Sequence, residues 1–158
     1  MNDPTCLPTP CFRFFADLRV HVGAPQDVGR TARGVRRLIP ITGGTAVGND
    51  WQARVLPGGA DVQLVVNERT AELDARYVLE VDGGDLIYVR NRAVRSGPPE
   101  LIARLMRGEP VDPASVYFKC CPSFETALPA LAWTSERMFV GHGARHPDTV
   151  VMRFFELL

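Results

Sequence analysis

From Phe12 onward the chain reads as short apolar or alternating runs separated by glycine, proline and polar breaks. The runs are Phe12 to Val22, Val35 to Ile41, Trp51 to Leu56, Val62 to Val66, Leu73 to Val81, Leu86 to Val94, Val116 to Cys121, Arg137 to Val140 and Val150 to Leu157. About nine strands at this spacing predict a mainly β fold, a sandwich or an antiparallel barrel. The sharpest local signal is Tyr77-Val-Leu-Glu-Val-Asp-Gly-Gly-Asp-Leu-Ile-Tyr88, where Gly83-Gly84 can supply the positive φ angles of a tight hairpin. Pro57-Gly58-Gly59 and the stretch Asn67 to Thr70 give two more turns, so the middle of the chain is a meander. Only Pro98 to Gly108 predicts a helix: prolines open it, Leu101, Ile102 and Leu105 share a face, and Gly108 stands at the C-cap. Residues 1–10, with three prolines, read as a loose arm, leaving 11–158 as one β-barrel domain. No 20–50-residue repeat or low-complexity tract suggests a solenoid, a propeller or a disordered tail.

Composition narrows the function classes. A chain of 158 residues, 46% hydrophobic, suits one well-formed core. Eighteen basic residues balance eighteen acidic ones, which gives no global positive field for nucleic acid or an anionic membrane. The N-terminal residues show neither a basic leader with an apolar run nor a membrane-length stretch, so a cytoplasmic location is expected. A small-molecule ligand is the expected partner, and a homo-oligomer is compatible with the sequence. Cys6, Cys11, Cys120 and Cys121 are expected as reduced thiols. Their spacing is not the paired C-x2-C of structural zinc, and adjacent strand residues point to opposite faces.

Several motifs have plain readings. Gly43-Gly44-Thr45-Ala46-Val47-Gly48 lacks the Lys-Ser/Thr and following helix of a phosphate loop, and reads as a turn at a barrel rim. His142-Gly-Ala-Arg-His146 reads as a hairpin loop, and His21 stands alone on a strand, so no metal and no cofactor are expected. There is no G-x-S-x-G elbow. Cys120 beside Lys119 could be an activated thiol, though a strand cysteine is more often a small core residue.

The informative polar residues sit inside apolar strands. Alternation places Asp61, Gln63 and Val65 on one side of their strand. It sets Asp74, Arg76, Val78 and Glu80 on one side of theirs, opposite Leu73, Ala75, Tyr77 and Leu79. One reading is a solvated outer face with ion pairs worth about 0–1 kcal/mol each. The other places the row inside a barrel, where buried charges must pair and can orient an anionic or carbonyl-bearing ligand. In that second reading Asp61 is a general base facing Arg76 across the interior, with Arg76 and Lys119 stabilising an enolate-like oxyanion. Arg37, Gln63, Tyr77, Tyr117 and Trp133 are then ligand-binding walls or donors.

Gly34-Val-Arg-Arg37, Ile39-Pro-Ile-Thr-Gly-Gly44, Val55-Leu-Pro-Gly-Gly-Ala-Asp-Val-Gln63 and Leu73-Asp-Ala-Arg-Tyr77 follow one another in order. They are joined by Ile87-Tyr-Val-Arg-Asn91, Tyr117-Phe-Lys119, Pro122-Ser-Phe-Glu125, Trp133, Phe139-Val-Gly141 and Arg145. This pattern resembles the bacterial and fungal family called domain of unknown function 3237. The resemblance implies a compact, calycin-like β-barrel, with no assigned activity for most members. The family usually carries Trp where this chain has Val62 and Arg-Thr where it has Lys119-Cys120. Lysine does not reproduce a bidentate arginine grip, so an anion site of the arginine-bearing kind is not carried over to Lys119.

The function expected from these residues is a small-molecule-binding barrel acting as a cofactor-independent isomerase, cyclase or lyase on a carbonyl-containing metabolite. A non-catalytic carrier and a filled structural barrel are the alternatives. A cavity of roughly 300 Å³ or more lined by Asp61, Arg76 and Lys119 favours a site, and a packed aliphatic interior removes it.

Overall fold

A computed structural model describes residues 7–158. It contains ten strands: β1 (Phe12–Val22), β2 (Gln26–Thr31), β3 (Gly34–Gly48), β4 (Gln52–Val55), β5 (Ala60–Val65), β6 (Thr70–Val81), β7 (Leu86–Ser96), β8 (Tyr117–Thr126), β9 (Phe139–Arg145) and β10 (Thr149–Leu157). One α-helix, α1 (Pro99–Met106), follows β7, and 3₁₀ turns lie at Pro113–Ser115 and Pro129–Glu136. The strands run antiparallel in the order β1, β10, β9, β8, β7, β6, then β4 and β5, then β3, and β3 pairs back onto β1. The result is a closed barrel of eight staves. One stave is shared: β4 pairs with the C-terminal half of β3 and β5 with its N-terminal half, and both pair with β6.

Alternation builds the interior. Along β8, Phe118, Cys120, Pro122 and Phe124 are buried and Lys119, Cys121 and Ser123 are exposed. The β6–β7 hairpin is paired without a break from Thr70↔Ser96 to Glu80↔Leu86. Its turn carries the expected glycines at φ +104° and +96°, and the Gly84 N–H donates to the Val81 carbonyl at 2.9 Å.

The two ends of the barrel differ. At one, Phe15, Phe124, Phe139 and Phe154 pack with Trp51 and Trp133, with ring centroids 4.7 Å apart for Phe15–Phe139 and 4.9 Å for Phe124–Phe139. These spacings lie in the favourable range for tilted and edge-on rings. The same end buries Glu156 to 2% exposure, where its carboxylate accepts from Arg13 at 2.7 Å and Arg137 at 2.9 Å. A buried carboxylate held by two guanidiniums is a costly charge made tolerable. The other end is polar and more open, and α1 lies beside it, its buried face formed by Ile102 and Leu105.

The outer row of β6 is the solvated face. Asp74 accepts from Arg90 at 2.9 Å and from Arg76 at 3.5 Å, and Arg54 pairs with Glu80 at 2.9 Å. The hydrogen bond from Arg90 holds the Asp74 carboxyl below its usual range.

Three local expectations are corrected. Gly43 to Gly48 is not a rim turn but the continuation of β3, because at Gly44 the backbone passes so close to β1 that a Cβ would collide with the Arg19 carbonyl. His142 to Arg145 is strand β9, and the turn falls after it, with the His146 N–H donating to Thr149 O at 2.8 Å. β2 escapes the hydrophobic pattern because its sequence, Gln-Asp-Val-Gly-Arg-Thr, buries no side chain. The expected arm at 1–10 falls partly outside the described residues, and 7–10 form no strand. Among the described residues Cys11, Cys120 and Cys121 are free thiols, whereas Cys6 lies outside them. No described helix is long and apolar enough to cross a membrane, which leaves strands aside.

Two stability predictions follow from these features. A Cβ at Gly84 would meet nothing within 4 Å, so Gly84→Val should cost about 1–2 kcal/mol through the backbone alone, and Gly84→Asn less, as read by urea unfolding. Arg76→Met should change stability by about 0–1 kcal/mol, whereas Glu156→Gln, which removes two charge-assisted bonds at a buried position, should cost about 1.5–3 kcal/mol.

Candidate functional site

Inward parity at the polar end gathers side chains from five strands. Two-residue steps along β7 from Ile87 and Val89 reach Asn91, Ala93 and Arg95, so a strand that begins apolar ends by burying an amide and a guanidinium. On β9 the same steps from Phe139 pass Gly141 and Gly143 to Arg145. β5 contributes Asp61 and Gln63, β6 contributes Tyr77 and β3 contributes Arg37.

Asp61, Gln63, Tyr77, Asn91, Arg95 and Arg145 line an interior cavity of about 50 Å³, together with apolar side chains such as Ile41, Phe118 and Met152. Cavity and mouth share Val22, Ile39, Gln63, Arg95 and Arg145, which also line a recess of about 340 Å³. The rim of that recess is made by Gly23 to Pro25, Met106 to Gly108 and Pro147 with Asp148. The interior part falls well short of the roughly 300 Å³ of a ligand pocket, and the recess at its mouth is the part that reaches that size.

Gln63 Nε2 donates to Asp61 Oδ2 at 2.7 Å and fixes the carboxyl group, while Asp61 Oδ1 is buried without a protein partner. Asn91 Nδ2 donates to Met152 Sδ at 3.3 Å and leaves its Oδ1 unpartnered. The Tyr77 hydroxyl, Arg95 Nε and Arg145 Nη1 are likewise buried without partners. Every buried side-chain polar atom lacking a protein partner among the described residues thus belongs to a residue of this one cavity. Buried polar groups are paired as a rule, and such a concentration of exceptions is the signature of a site rather than of packing.

Burial shapes the electrostatics. It pushes the Asp61 carboxyl above its ordinary range, against the Gln63 hydrogen bond and the positive charge of Arg95. It also raises the Tyr77 hydroxyl, with the nearby Asp61 carboxyl adding to the rise. It lowers the Arg95 guanidinium to about 10, with Asp61 opposing, and it lowers Arg145 as well. The Cys120 thiol, pushed up to about 12 by burial, is a core residue and not an activated nucleophile. Arg37 is neutralised locally, with Nε donating to Asp27 at 3.0 Å and Nη2 to the Met106 carbonyl at 3.4 Å.

Among the residues expected from sequence, Asp61, Gln63 and Tyr77 meet in the cavity and Arg37 lines the recess. Arg76 does not join them. Its side chain is 57% exposed on the outer face, and Asp61 lies opposite Ala75 in the β5–β6 register, so the face of β5 bearing Asp61 meets the apolar face of β6 and not its charged one. The cavity is correspondingly different from the one expected with Arg76 and Lys119. Lys119 and Tyr117 are exposed on β8, with Lys119 Nζ 5.8 Å from the Tyr117 ring, because Phe118 and Cys120 take the inward positions. Trp133 packs 5.9 Å from Phe15 at the aromatic end. Asn91, Arg95 and Arg145 are the residues not singled out as site residues from sequence, although counting in twos from Val89 and Phe139 reaches all three. No group of three or more His, Cys, Asp or Glu side chains among the described residues could hold a metal.

A family model described as "Protein of unknown function (DUF3237)" matches residues 10–157. The UPF0311 protein RPA1785 of Rhodopseudomonas palustris is 41% identical over 151 residues, covering 96% of this chain and 99% of that one. Its crystal structure, described as that of a conserved protein of unknown function, superposes with a TM-score of 0.92 over 96% of this chain and all of the other. A beta-barrel like protein from Acinetobacter baumannii AYE, 36% identical, gives a TM-score of 0.85 over 98% of this chain and 99% of its own. An enzyme from Penicillium herquei shares only 16% identity, covers 97% of this chain and 98% of its own, and at a TM-score of 0.71 shows likeness of fold alone. Matched along nearly all its length by that family model and by close relatives, the chain belongs to the DUF3237 family.

Proposed function

We propose that the polar end of the barrel binds a small carbonyl-containing molecule and moves a proton on it, as a cofactor-independent isomerase, cyclase or lyase. The observation that carries this reading is the set of five unpartnered buried polar atoms around one cavity, with an acceptor on Asp61 and donors on Tyr77, Arg95 and Arg145. Asp61 Oδ1 takes a proton from a carbon next to the carbonyl, while Oδ2 stays oriented by Gln63. The electron pair of that C–H bond becomes a C=C π bond while the carbonyl π pair shifts onto oxygen, and Arg95, Arg145 or Tyr77 donates to the oxyanion as it forms. Returning the proton to another atom is isomerisation, and expelling a β-substituent with the same electron pair is elimination. A carboxyl group made more basic by burial suits both halves of such a transfer better than an ordinary aspartate. The fold neighbour from Penicillium herquei, described as an enzyme, supports the view that barrels of this shape accommodate catalysis. The small volume favours a compact metabolite over a drug-sized one.

Acetoacetate is a suitable probe, because its methylene group exchanges with D₂O through an enolate. The protein is expected to accelerate that exchange, read by proton NMR, and Asp61→Asn to keep binding while losing about 100-fold or more of the acceleration. Binding without any acceleration by the wild type would mark a carrier, and absence of binding would sink the reading.

The pH dependence has a definite sign. Burial raises the folded pKa of Asp61 above its unfolded value, so its contribution to stability is fully present below the ordinary carboxylate range, near about 4, and is lost as pH rises through the folded pKa. Wild-type protein should therefore lose stability relative to Asp61→Asn as pH rises from about 4 toward neutrality, in thermal melts across that window. Identical pH profiles would remove the burial argument.

A further inference from the structure

The cavity carries more positive charge than its own residues neutralise. Arg95, 4% exposed, makes no side-chain hydrogen bond and no ion pair with any described residue. Arg145 donates only from Nη2 to the Pro147 carbonyl at 3.2 Å, with Nη1 unpartnered. Of the other charged groups around the cavity and its mouth, Arg37 is paired with Asp27 and Arg107 with Glu109 at 2.6 Å, while Asp148, exposed at the rim and outside the cavity lining, acts on Arg145 through solvent. Asp61 is thus the one carboxyl lining the cavity with the buried Arg95 and the partly buried Arg145, and it bonds to Gln63 rather than to either of them. An aliphatic side chain at position 95 would pack there without a desolvation penalty, so a bare guanidinium at that depth is a cost with no structural return.

We propose that the molecule bound here carries a carboxylate, which docks on Arg95 and Arg145, and that it belongs to the class of small keto acids whose acidic carbon lies between the carboxylate and a second carbonyl. This deepens the proton-transfer reading and rests on it only for the role of Asp61. A planar guanidinium fork matches a carboxylate with two parallel donors. A single negative charge matches the excess left by two guanidiniums and one carboxyl group, whereas a doubly charged phosphate would bring like charge against Asp61 in a narrow space.

The test compares two molecules of the same heavy-atom count, acetoacetate and acetylacetone. Both have an acidic methylene between two carbonyl carbons, and only the first is an anion. Binding to the full-length protein is read by the rise in melting temperature with ligand concentration, with inorganic phosphate as a third ligand. Acetoacetate is expected to bind at least about 10-fold more tightly than acetylacetone. Arg95→Met should erase that difference, and Arg145→Gln should do the same in case the first variant folds poorly. Arg92→Met, an exposed arginine on the outer face of the same strand, should retain it. Equal binding of the two dicarbonyl molecules overturns the carboxylate assignment and leaves the proton-transfer reading standing. Binding of neither overturns both, and phosphate protection equal to that of acetoacetate overturns the assignment to carboxylates.

Discussion

Closure of the barrel at the β1–β3 seam is the constraint on which the rest depends. Until β3 pairs with β1, each strand has a face and the sheet has two edges, but no side is an interior. The seam is possible because Gly44 lets the two backbones approach where a side chain would strike the Arg19 carbonyl. Once closed, every second residue of every stave is committed inward, whatever its chemistry. This is how Arg95 and Asn91 come to be buried on a strand whose neighbouring outward positions carry Arg90 and Arg92.

The interior so defined is divided by function along its length. The aromatic end satisfies its buried acid, Glu156, with two arginines and packs its rings against one another. The polar end leaves its acid with a free oxygen and its arginines without anions. A well-satisfied half supplies stability that lets the other half keep groups in states that cost free energy.

Much of the fold was legible in the chain. The boundaries of β1, the β6–β7 hairpin with its two glycines and the helix after Pro98 all follow from periodicity and turn chemistry. The glycine-rich half of β3 was not legible, because glycine signals a turn in sequence and a close backbone crossing in space. The site was legible strand by strand and illegible between strands. Parity put Asp61 with Gln63 and Arg76 with Asp74, but only the register of β5 on β6 shows that the two pairs occupy opposite faces of the sheet. Matching polar row to polar row led to Arg76, whereas the cations that line the cavity with Asp61 arrive from β7 and β9, distant in sequence and reached only by carrying the alternation through to the strand ends.

The stave divided between β4 and β5 has a mechanical meaning. The turn at Pro57 to Gly59 cuts it into a segment anchored beside the aromatic rings and a segment bearing Asp61 and Gln63. Across that break the backbone stays tied to both neighbours, with the Ile41 N–H donating to the Gly59 carbonyl at 2.8 Å and the Leu56 N–H to the Val78 carbonyl at 2.9 Å. The acid and its orienting amide thus ride on a short slat laced along both edges, to β3 on one side and to β6 on the other, so their placement is set by those two neighbours and not by continuity with the packed end.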